Sequence, residues 1–148
     1  MLKDTQCGEI GEAFIEKEVV LAGWVNRRRD HGNLIFIDLR DSTGIVQVVL
    51  NPGLFPDIGS IGQELRSEWV VKIEGKVQKR PPGTENNEIP TGQLEVLAEK
   101  AWVLNSSTQI PFYVNEDSDV DEALRLKYRY IYLRRPRLQT NLKLRHRI

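Results

Sequence analysis

Apolar and polar residues alternate along five segments of the chain, and a period of two is typical of β-strands. The alternation predicts strands at 19–25, 34–40, 45–50, 69–79 and 93–104. Between the third and fourth segments the period changes, because Ile58, Ile61 and Leu65 recur at helical spacing and predict a helix at 56–66. A short helix is also predicted at 8–16. The first strand is apolar on both faces, which predicts burial on both sides.

Five strands with one helix between the third and the fourth is the element order of the OB-fold, a small Greek-key barrel. Gly23 lies inside the first strand, where a glycine usually marks a sharp bend or a close backbone approach. A strand that curls in this way can pair with neighbours at both of its ends. The sequence therefore predicts a mostly β, five-stranded OB barrel over residues 1–105, with a generic five-stranded Greek-key barrel as the competing fold.

The character of the chain changes after residue 105. Residues 106–136 are predicted to form a hinge or linker, which includes the acidic stretch 115–119 and a helix starting near Val120. Pro136 interrupts that helix, and a second helix is predicted at 137–148. Residues 125–148 hold nine Lys or Arg and no acid, whereas residues 1–124 carry a net charge of −9. This asymmetry indicates either a nucleic-acid-facing end or the solvated helix of a larger interface.

Several classes of function are disfavoured by composition. No apolar run approaches the roughly 20 residues of a membrane span, and no signal sequence follows the start, so the cytoplasm is the expected compartment. The only cysteine is Cys7 and the only histidines are His31 and His146, which is too few for a zinc site or a disulfide framework. No catalytic motif is present. Asp38 and Asp41 flank Arg40, and salt bridges within that turn explain the two carboxylates better than acid–base catalysis does. We therefore expect neither catalytic nor metal-ligating residues.

The second strand offers a candidate binding face, because OB-folds bind single strands across their second and third strands. If Ile35, Ile37 and Leu39 fill the barrel, Phe36 points outward, either as a stacking platform for a base or as a small surface patch. By the same alternation Gln47 and Glu95 point outward near it. They are either polar groups that read base edges or ordinary solvated strand positions.

Three consecutive arginines, Arg27, Arg28 and Arg29, lie where the first strand is predicted to run into its loop. Positive charge at the mouth of that loop suits contacts with phosphates, which add affinity without reading sequence. The alternative is a solvated charge run.

The run GWVNRRRDHG at 23–32, followed by LIFIDLRD at 34–41 and GIVQV at 44–48, resembles bacterial aspartyl-tRNA synthetases. The segment EALRLKYRY at 122–130 and LRRP at 133–136 resemble the part that leads into the catalytic domain of that family. The resemblance covers essentially the whole chain. The related asparaginyl and lysyl enzymes share the fold, but the unbroken RRRDHG run favours the aspartyl family.

The resemblance implies a class II enzyme that uses ATP, with Mg²⁺, to attach aspartate to tRNA, and whose N-terminal barrel recognises the anticodon. Residues 137–148 then form the first helix of a truncated catalytic domain, so the chain alone is expected to be inactive. The implied partner is tRNA(Asp), with no membrane, and the implied full-length enzyme is a homodimer. By family analogy Phe36 stacks on an anticodon base, and Gln47, Glu95 and Arg29 read neighbouring edges or phosphates. Arg66 is a further contact.

The resemblance also implies a choice of tRNA. In this family, a histidine and a glycine at the positions of His31 and Gly83 are associated with enzymes that charge both tRNA(Asp) and tRNA(Asn). Neutral imidazole carries one donor and one acceptor, so His31 is able to meet either of the two final bases that distinguish the GUC and GUU anticodons. The alternative is that His31 is a turn residue that contacts phosphate.

Two other functions stay open on the sequence alone. One is a free-standing OB module that binds single-stranded nucleic acid without sequence preference. The other is a barrel that binds a protein and no nucleic acid.

Overall fold

The computed structural model describes residues 2–114 and 119–148. The chain divides into two compact units, Met1–Ser107 and Thr108–Ile148. No helix within the described ranges is long and apolar enough to cross a membrane.

The first unit is a closed five-stranded barrel, as predicted. Its strands are β1 (Glu18–His31), β2 (Leu34–Arg40), β3 (Ile45–Leu50), β4 (Val70–Lys79) and β5 (Leu94–Asn105), and helix α1 (Asp57–Glu64) lies between β3 and β4. The strand order around the barrel is β1-β2-β3-β5-β4, and β4 closes back on β1. The β3–β5 pair is parallel and the other four pairs are antiparallel. The predicted OB-fold is confirmed.

Alternate residues of every strand fill the barrel. Leu21, Ile37, Val48, Ile73 and Val96 contribute one fully buried side chain from each strand in turn. Burying one such side chain stabilises the fold by about 1.5–3 kcal/mol. A one-residue shift of a strand would expose all of its buried side chains, so the alternation also fixes which face of each strand points outward.

Strand β1 curls to pair with two neighbours. Trp24 pairs with Arg40 of β2 and with Val70 of β4, so the strand changes partner at this point. A Cβ added to Gly23 would lie 2.4 Å from the carbonyl oxygen of Arg40, a distance that no side chain tolerates. A bulge follows between Val25 and Arg27. The close approach predicted for Gly23 is confirmed.

Two local predictions for the first unit are wrong. The segment predicted as a helix at 8–16 forms two single 3-10 turns, Cys7–Glu9 and Glu12–Phe14. The backbone is extended at Ile10 and Gly11, which separates the two turns, and the N–H groups of Cys7 and Gly8 donate to the side chains of Asp41 and Thr43. The predicted burial of the first strand on both sides is wrong at Trp24, which faces outward and is 38% exposed, although Ala22 on the same face is buried.

The two aspartates that were expected to pair around Arg40 do not do so. The carboxylate of Asp38 binds Arg29 across the sheet, and that of Asp41 binds Lys3. Arg40 pairs with Glu68 and donates to Asn26. Asp38 and Arg40 share one face of β2, but each has its ion-pair partner on another segment of the chain, Arg29 for Asp38 and Glu68 for Arg40.

The second unit contains helices α2 (Glu122–Lys127), α3 (Arg129–Tyr132) and α4 (Pro136–Arg147). The carboxylate of Asp121 caps α2 by accepting from the N–H groups of Ala123 and Leu124. Pro136 is the first residue of α4, a position where proline is favoured because its missing N–H would have no helical partner. Residues 115–118 of the predicted hinge lie outside the described residues.

Candidate nucleic-acid interface

A cleft of about 830 Å³ lies on the outer face of β2, β3 and β5, beside the β1–β2 turn and the β4–β5 loop. Six of the residues singled out in the sequence line it: Arg29, His31, Phe36, Gln47, Gly83 and Glu95. They come from four strands and one loop, so the barrel gathers side chains that are far apart in the chain.

Phe36 forms the apolar part of the cleft. It is half-buried and lies directly across the sheet from Arg29 on β1 and from Val49 on β3. The His31 ring meets it edge to face, with centroids 5.9 Å apart and an interplanar angle of 85°. Leu34 and Leu97 extend the apolar surface. A flat ring held between packed neighbours, with one side open to a cleft, suits stacking by a base.

A row of polar side chains runs across the sheet beside Phe36. Asp38, Gln47, Glu95 and Gln78 occupy paired positions on β2, β3, β5 and β4. Gln47 Nε2 donates to Glu95 Oε2 at 2.8 Å, and Gln78 Nε2 donates to Glu95 Oε1 at 2.8 Å. Arg29 Nη2 donates to Asp38 Oδ1 at 2.6 Å and to Gln47 Oε1 at 3.3 Å. The row is one continuous hydrogen-bonded network.

Gln47 and Glu95 are not ordinary solvated positions, because they are only 5% and 4% exposed. A buried polar group is costly unless it is hydrogen-bonded, and these two groups satisfy each other. Each oxygen of Glu95 accepts one of the two amide hydrogen bonds, whereas an ionised carboxylate offers about four acceptor sites. The remaining capacity suits N–H donors on the edge of a base.

Arg29 brings positive charge to the network and keeps donor capacity. Its Nε is buried and has no hydrogen-bond partner among the residues that the structure describes. Burial raises the pKa of Asp38 above its usual range, although Arg29, Arg80 and Arg27 act in the opposite direction. The carboxylate is therefore a desolvated partner that holds the guanidinium in place.

The three consecutive arginines do not act as one patch. Strand β1 continues to His31, so they lie within the strand and not at the mouth of a loop, and successive side chains point to opposite faces. Arg29 lines the cleft. Arg28 points the other way, where its Nε donates to the carbonyl of Gly62 at 2.9 Å and its guanidinium pairs with Asp30 at 2.8 Å. Arg27 is exposed and lies across from Asp38.

Arg66 does not line the cleft. Its Nη1 donates to the carbonyl oxygens of Gln63, Glu64 and Leu65, at 2.8, 3.0 and 2.8 Å, at the C-terminal end of α1. These are carbonyls that a helix end leaves unsatisfied, so Arg66 acts in the structure as a C-terminal cap.

The sequence analysis missed several lining residues, among them Gln78 and Arg80. Gln78 shares a row with Glu95 and was detectable from the same alternation. Arg80 is 7% exposed, and its guanidinium donates to the carbonyls of Leu94 and Thr84 at 3.1 and 3.3 Å. Burial lowers its pKa, against the effect of the Glu95 and Asp38 carboxylates. The residue follows β4 in a loop, where alternation gives no signal.

Gly83 occupies the β4–β5 loop beside the cleft. Its φ of +87° is in the region that favours glycine, and its N–H donates to Glu85 Oε2 at 2.8 Å. An added Cβ would meet no atom within 4 Å. Backbone conformation, and not crowding, therefore favours glycine here.

The described parts of the chain contain no group of three or more His, Cys, Asp or Glu side chains that could hold a metal ion. The cleft's own chemistry consists of one aromatic face, buried amides, carboxylates and guanidiniums.

Comparison with known proteins agrees with this chemistry. The tRNA anti-codon family model, described as an OB-fold nucleic acid binding domain, matches residues 19–104. The chain is 53% identical over 147 residues to the aspartate--tRNA(Asp/Asn) ligase of Dehalococcoides mccartyi, which covers 99% of the chain and 24% of that protein. The corresponding ligase of Moorella thermoacetica is 54% identical over 141 residues, covering 95% and 23%.

Solved structures give the same result. The crystal structure of asparaginyl-tRNA synthetase from Pyrococcus horikoshii complexed with asparaginyl-adenylate matches with a TM-score of 0.81 and 30% identity. The match covers 99% of this chain and 32% of that one. The predicted resemblance to aspartyl-tRNA synthetases is confirmed, while the chain spans about a quarter of the length of the curated relatives it matches. The chain belongs to the family of OB-fold nucleic acid binding domains.

Proposed function

We propose that the barrel binds the anticodon of tRNA(Asp) as part of an aspartate--tRNA ligase. One observation carries the proposal: a single cleft gathers the half-buried Phe36 ring, a buried carboxylate with spare acceptor sites and the Arg29 guanidinium, whose Nε has no partner among the described residues. Unpaired bases are recognised by stacking on aromatic rings and by hydrogen bonds to their edges, and these side chains offer both. The family match and the relatives named above support the same assignment.

Each cleft residue has a distinct role in this proposal. Phe36 stacks on one base. Gln47 and Glu95 bind polar base edges, and Glu95, which can only accept, selects edges that present N–H donors. Arg29 donates to a base edge or a phosphate through the side of its guanidinium that faces away from Asp38. The exposed Arg27 contacts phosphate, with Arg28 and Arg66 as peripheral contacts because protein groups already hold their guanidiniums.

The activity of the whole protein is also a proposal. It joins aspartate to tRNA at the expense of ATP, with Mg²⁺, as a homodimer, and the ATP and aspartate sites belong to a catalytic domain beyond residue 148. Residues 106–136 act as the hinge and 137–148 as the first helix of that domain. The chain spans about a quarter of the length of the relatives named above, and the 148-residue chain alone should show no aspartate-dependent pyrophosphate exchange. Exchange above background would overturn this part of the proposal.

Competition between two RNAs tests anticodon recognition. A labelled stem-loop with the GUC anticodon is bound to the chain and displaced by an unlabelled GUC stem-loop or by a homopolymer of equal length. We expect the stem-loop to compete at least about tenfold better, which corresponds to about 1.4 kcal/mol. Equal competition would favour a single-strand binding module without sequence preference. Failure of both RNAs to bind would favour a protein-binding barrel.

We also propose that the domain accepts the anticodon of tRNA(Asn), with His31 and Gly83 as the determinants. Both residues line the cleft, His31 against Phe36 and Gly83 in the β4–β5 loop. The names of the two curated relatives include both tRNAs, which supports the same choice. His31 meets either cytosine or uracil by exchanging its donor and acceptor nitrogens, and Gly83 adds no side chain that would exclude one of them.

Stem-loops with the GUC and GUU anticodons test this second proposal. The wild-type chain should bind them with affinities that differ by less than about tenfold. His31→Leu should shift that ratio, because leucine cannot donate or accept a hydrogen bond. A larger preference for GUC in the wild type would contradict non-discrimination, and an unchanged ratio in His31→Leu would remove His31 from the account.

A further inference from the structure

Gln78 lies on β4, directly across the sheet from Glu95 on β5. Its Nε2 donates to Glu95 Oε1 at 2.8 Å, while Gln47 Nε2 donates to the other oxygen, Oε2, at 2.8 Å. The two amides therefore hold the carboxylate from opposite sides. Rotation of the carboxylate about its terminal bond would break both hydrogen bonds together.

This arrangement matters because a free glutamate side chain has three rotatable bonds. Binding a base through such a side chain requires its rotamers to be ordered, and ordering them opposes binding. In this cleft the two amides fix the carboxylate before any ligand arrives. Its unused acceptor sites then have one orientation. A base whose donors do not match that orientation binds more weakly, because the carboxylate would have to break its two amide hydrogen bonds to reach it.

We propose that Gln78 is a positioning residue, which fixes the Glu95 carboxylate so that the cleft distinguishes base edges by their N–H donors. The inference rests on the proposed anticodon-binding function and adds a residue to it. The base with two adjacent donors on its pairing edge, N1–H and the N2 amino group, is guanine, and inosine lacks the amino group. Loss of Gln78 should therefore reduce discrimination between guanine and inosine.

The same strand provides a control for a purely structural role. Lys76 shares the outward face of β4 two residues away, lies across from Leu97 and pairs with Glu16 at 2.5 Å. It is not among the residues that line the cleft. The barrel side of β4 is filled by other residues, among them Val77, which is fully buried. Neither Gln78→Met nor Lys76→Met removes a core side chain.

The experiment measures the affinity of GUC and inosine-UC stem-loops for the wild type, Gln78→Met, Gln78→Arg and Lys76→Met. We expect the wild type to prefer guanine by about fivefold or more, the lower end for a bidentate contact. Gln78→Met should reduce this preference to less than about twofold, and Gln78→Arg, which can still donate to the carboxylate, should restore it. Lys76→Met should leave it unchanged. Urea unfolding midpoints confirm that each variant is folded.

A double-mutant cycle separates action through Glu95 from direct contact with RNA. In a Glu95→Ala background, Gln78→Met should change the affinity for the GUC stem-loop no further. A preference for guanine that survives in folded Gln78→Met, or an undiminished effect of Gln78→Met without Glu95, would overturn the inference and leave anticodon binding intact. Absence of stem-loop binding by the wild type would instead overturn the proposed function.

Discussion

Two carboxylates of the barrel, those of Asp41 and Glu95, are both shielded from solvent but differ in how many of their acceptor sites are used. The Asp41 side chain is 3% exposed, and its oxygens accept from five donors: Lys3 Nζ, the Cys7 N–H, the Thr43 N–H and hydroxyl, and the Gly44 N–H. Glu95 is 4% exposed, accepts hydrogen bonds from two glutamine amides and lines the cleft. Burial alone therefore does not identify a ligand-binding carboxylate; unused acceptor capacity beside open space does.

The saturated carboxylate fastens the N-terminal segment to the barrel. Burial would raise the pKa of Asp41, but hydrogen bonds from the Thr43 hydroxyl, from the Cys7 and Thr43 N–H groups and from Lys3 outweigh it and hold the pKa well below its usual range. The neighbouring Cys7 is fully buried, and burial together with the Asp41 charge raises the pKa of its thiol to about 12. This cluster stabilises the fold and has no donor or acceptor directed at a ligand.

The largest expected effect is on stability. Asp41→Ala should lower the free energy of unfolding by about 2–3 kcal/mol, because the variant leaves the half-buried Lys3 ammonium and several N–H groups without their acceptor. Stem-loop affinity should stay within about twofold of wild type below the unfolding transition. Urea unfolding and RNA titration measure the two quantities. The control is Asp30→Ala, whose carboxylate is 56% exposed and should contribute less than about 1 kcal/mol. An Asp41→Ala variant that is as stable as wild type but binds the stem-loop poorly would contradict the assignment of Asp41 to stability and not to binding.

The next effect concerns the cleft. Phe36→Ala should weaken binding of the GUC stem-loop by about 1–3 kcal/mol, the range for the loss of one base–aromatic stack. Trp102→Ala is the matched control, since this aromatic is 40% exposed and contacts Lys72 outside the cleft lining. Fluorescence anisotropy gives both affinities. If Phe36→Ala binds within about a factor of two of wild type, Phe36 is not the stacking platform.

The pH dependence of stability sharpens the same comparison. Because the folded-state pKa of Asp41 is lowered, the unfolded chain binds more protons in acid, so its contribution is present above the ordinary carboxyl pKa of about 4 and is lost as pH falls. Asp41→Asn should therefore lose stability less steeply than wild type below about pH 4. Urea unfolding at a series of pH values measures the slope. Parallel curves would show that other groups dominate acid unfolding.

The smallest expected effect concerns salt. Binding should weaken as salt rises, and Arg27→Ala should reduce the slope of log affinity against log salt by about one phosphate contact. Arg28→Ala should change the slope less, because Gly62 and Asp30 already hold that guanidinium. Equal changes in the two variants would show that the arginines act as one patch after all.

Alternation was enough to predict the fold and three of the side chains that line the cleft. Strands β2 and β3 begin and end where the sequence predicts, and outward parity correctly placed Phe36, Gln47 and Glu95 on one face. The reason is that a period of two fixes the face of every residue once the core is known.

The remaining features depend on contacts between distant segments, which no local pattern contains. The 3-10 turns at Cys7–Glu9 and Glu12–Phe14 replace a predicted helix because the backbone is extended at Ile10 and Gly11, where Ile10 belongs to the core of the barrel. Arg80 lines the cleft because of the conformation of the loop after β4, which alternation does not predict. The hydrogen bonds that satisfy the buried Glu95 carboxylate come from Gln47 on β3 and Gln78 on β4.

The most direct test of the account is one pair of variants measured side by side, Glu95→Gln and Asp41→Asn. The chain with Glu95→Gln should remain folded, with a smaller fall in its urea midpoint than Asp41→Asn, and lose at least about tenfold in affinity for the GUC stem-loop, because an amide offers one acceptor oxygen where the carboxylate offers two. The chain with Asp41→Asn should lose stability and keep its affinity. A folded Glu95→Gln variant that binds the stem-loop as tightly as wild type would contradict the account.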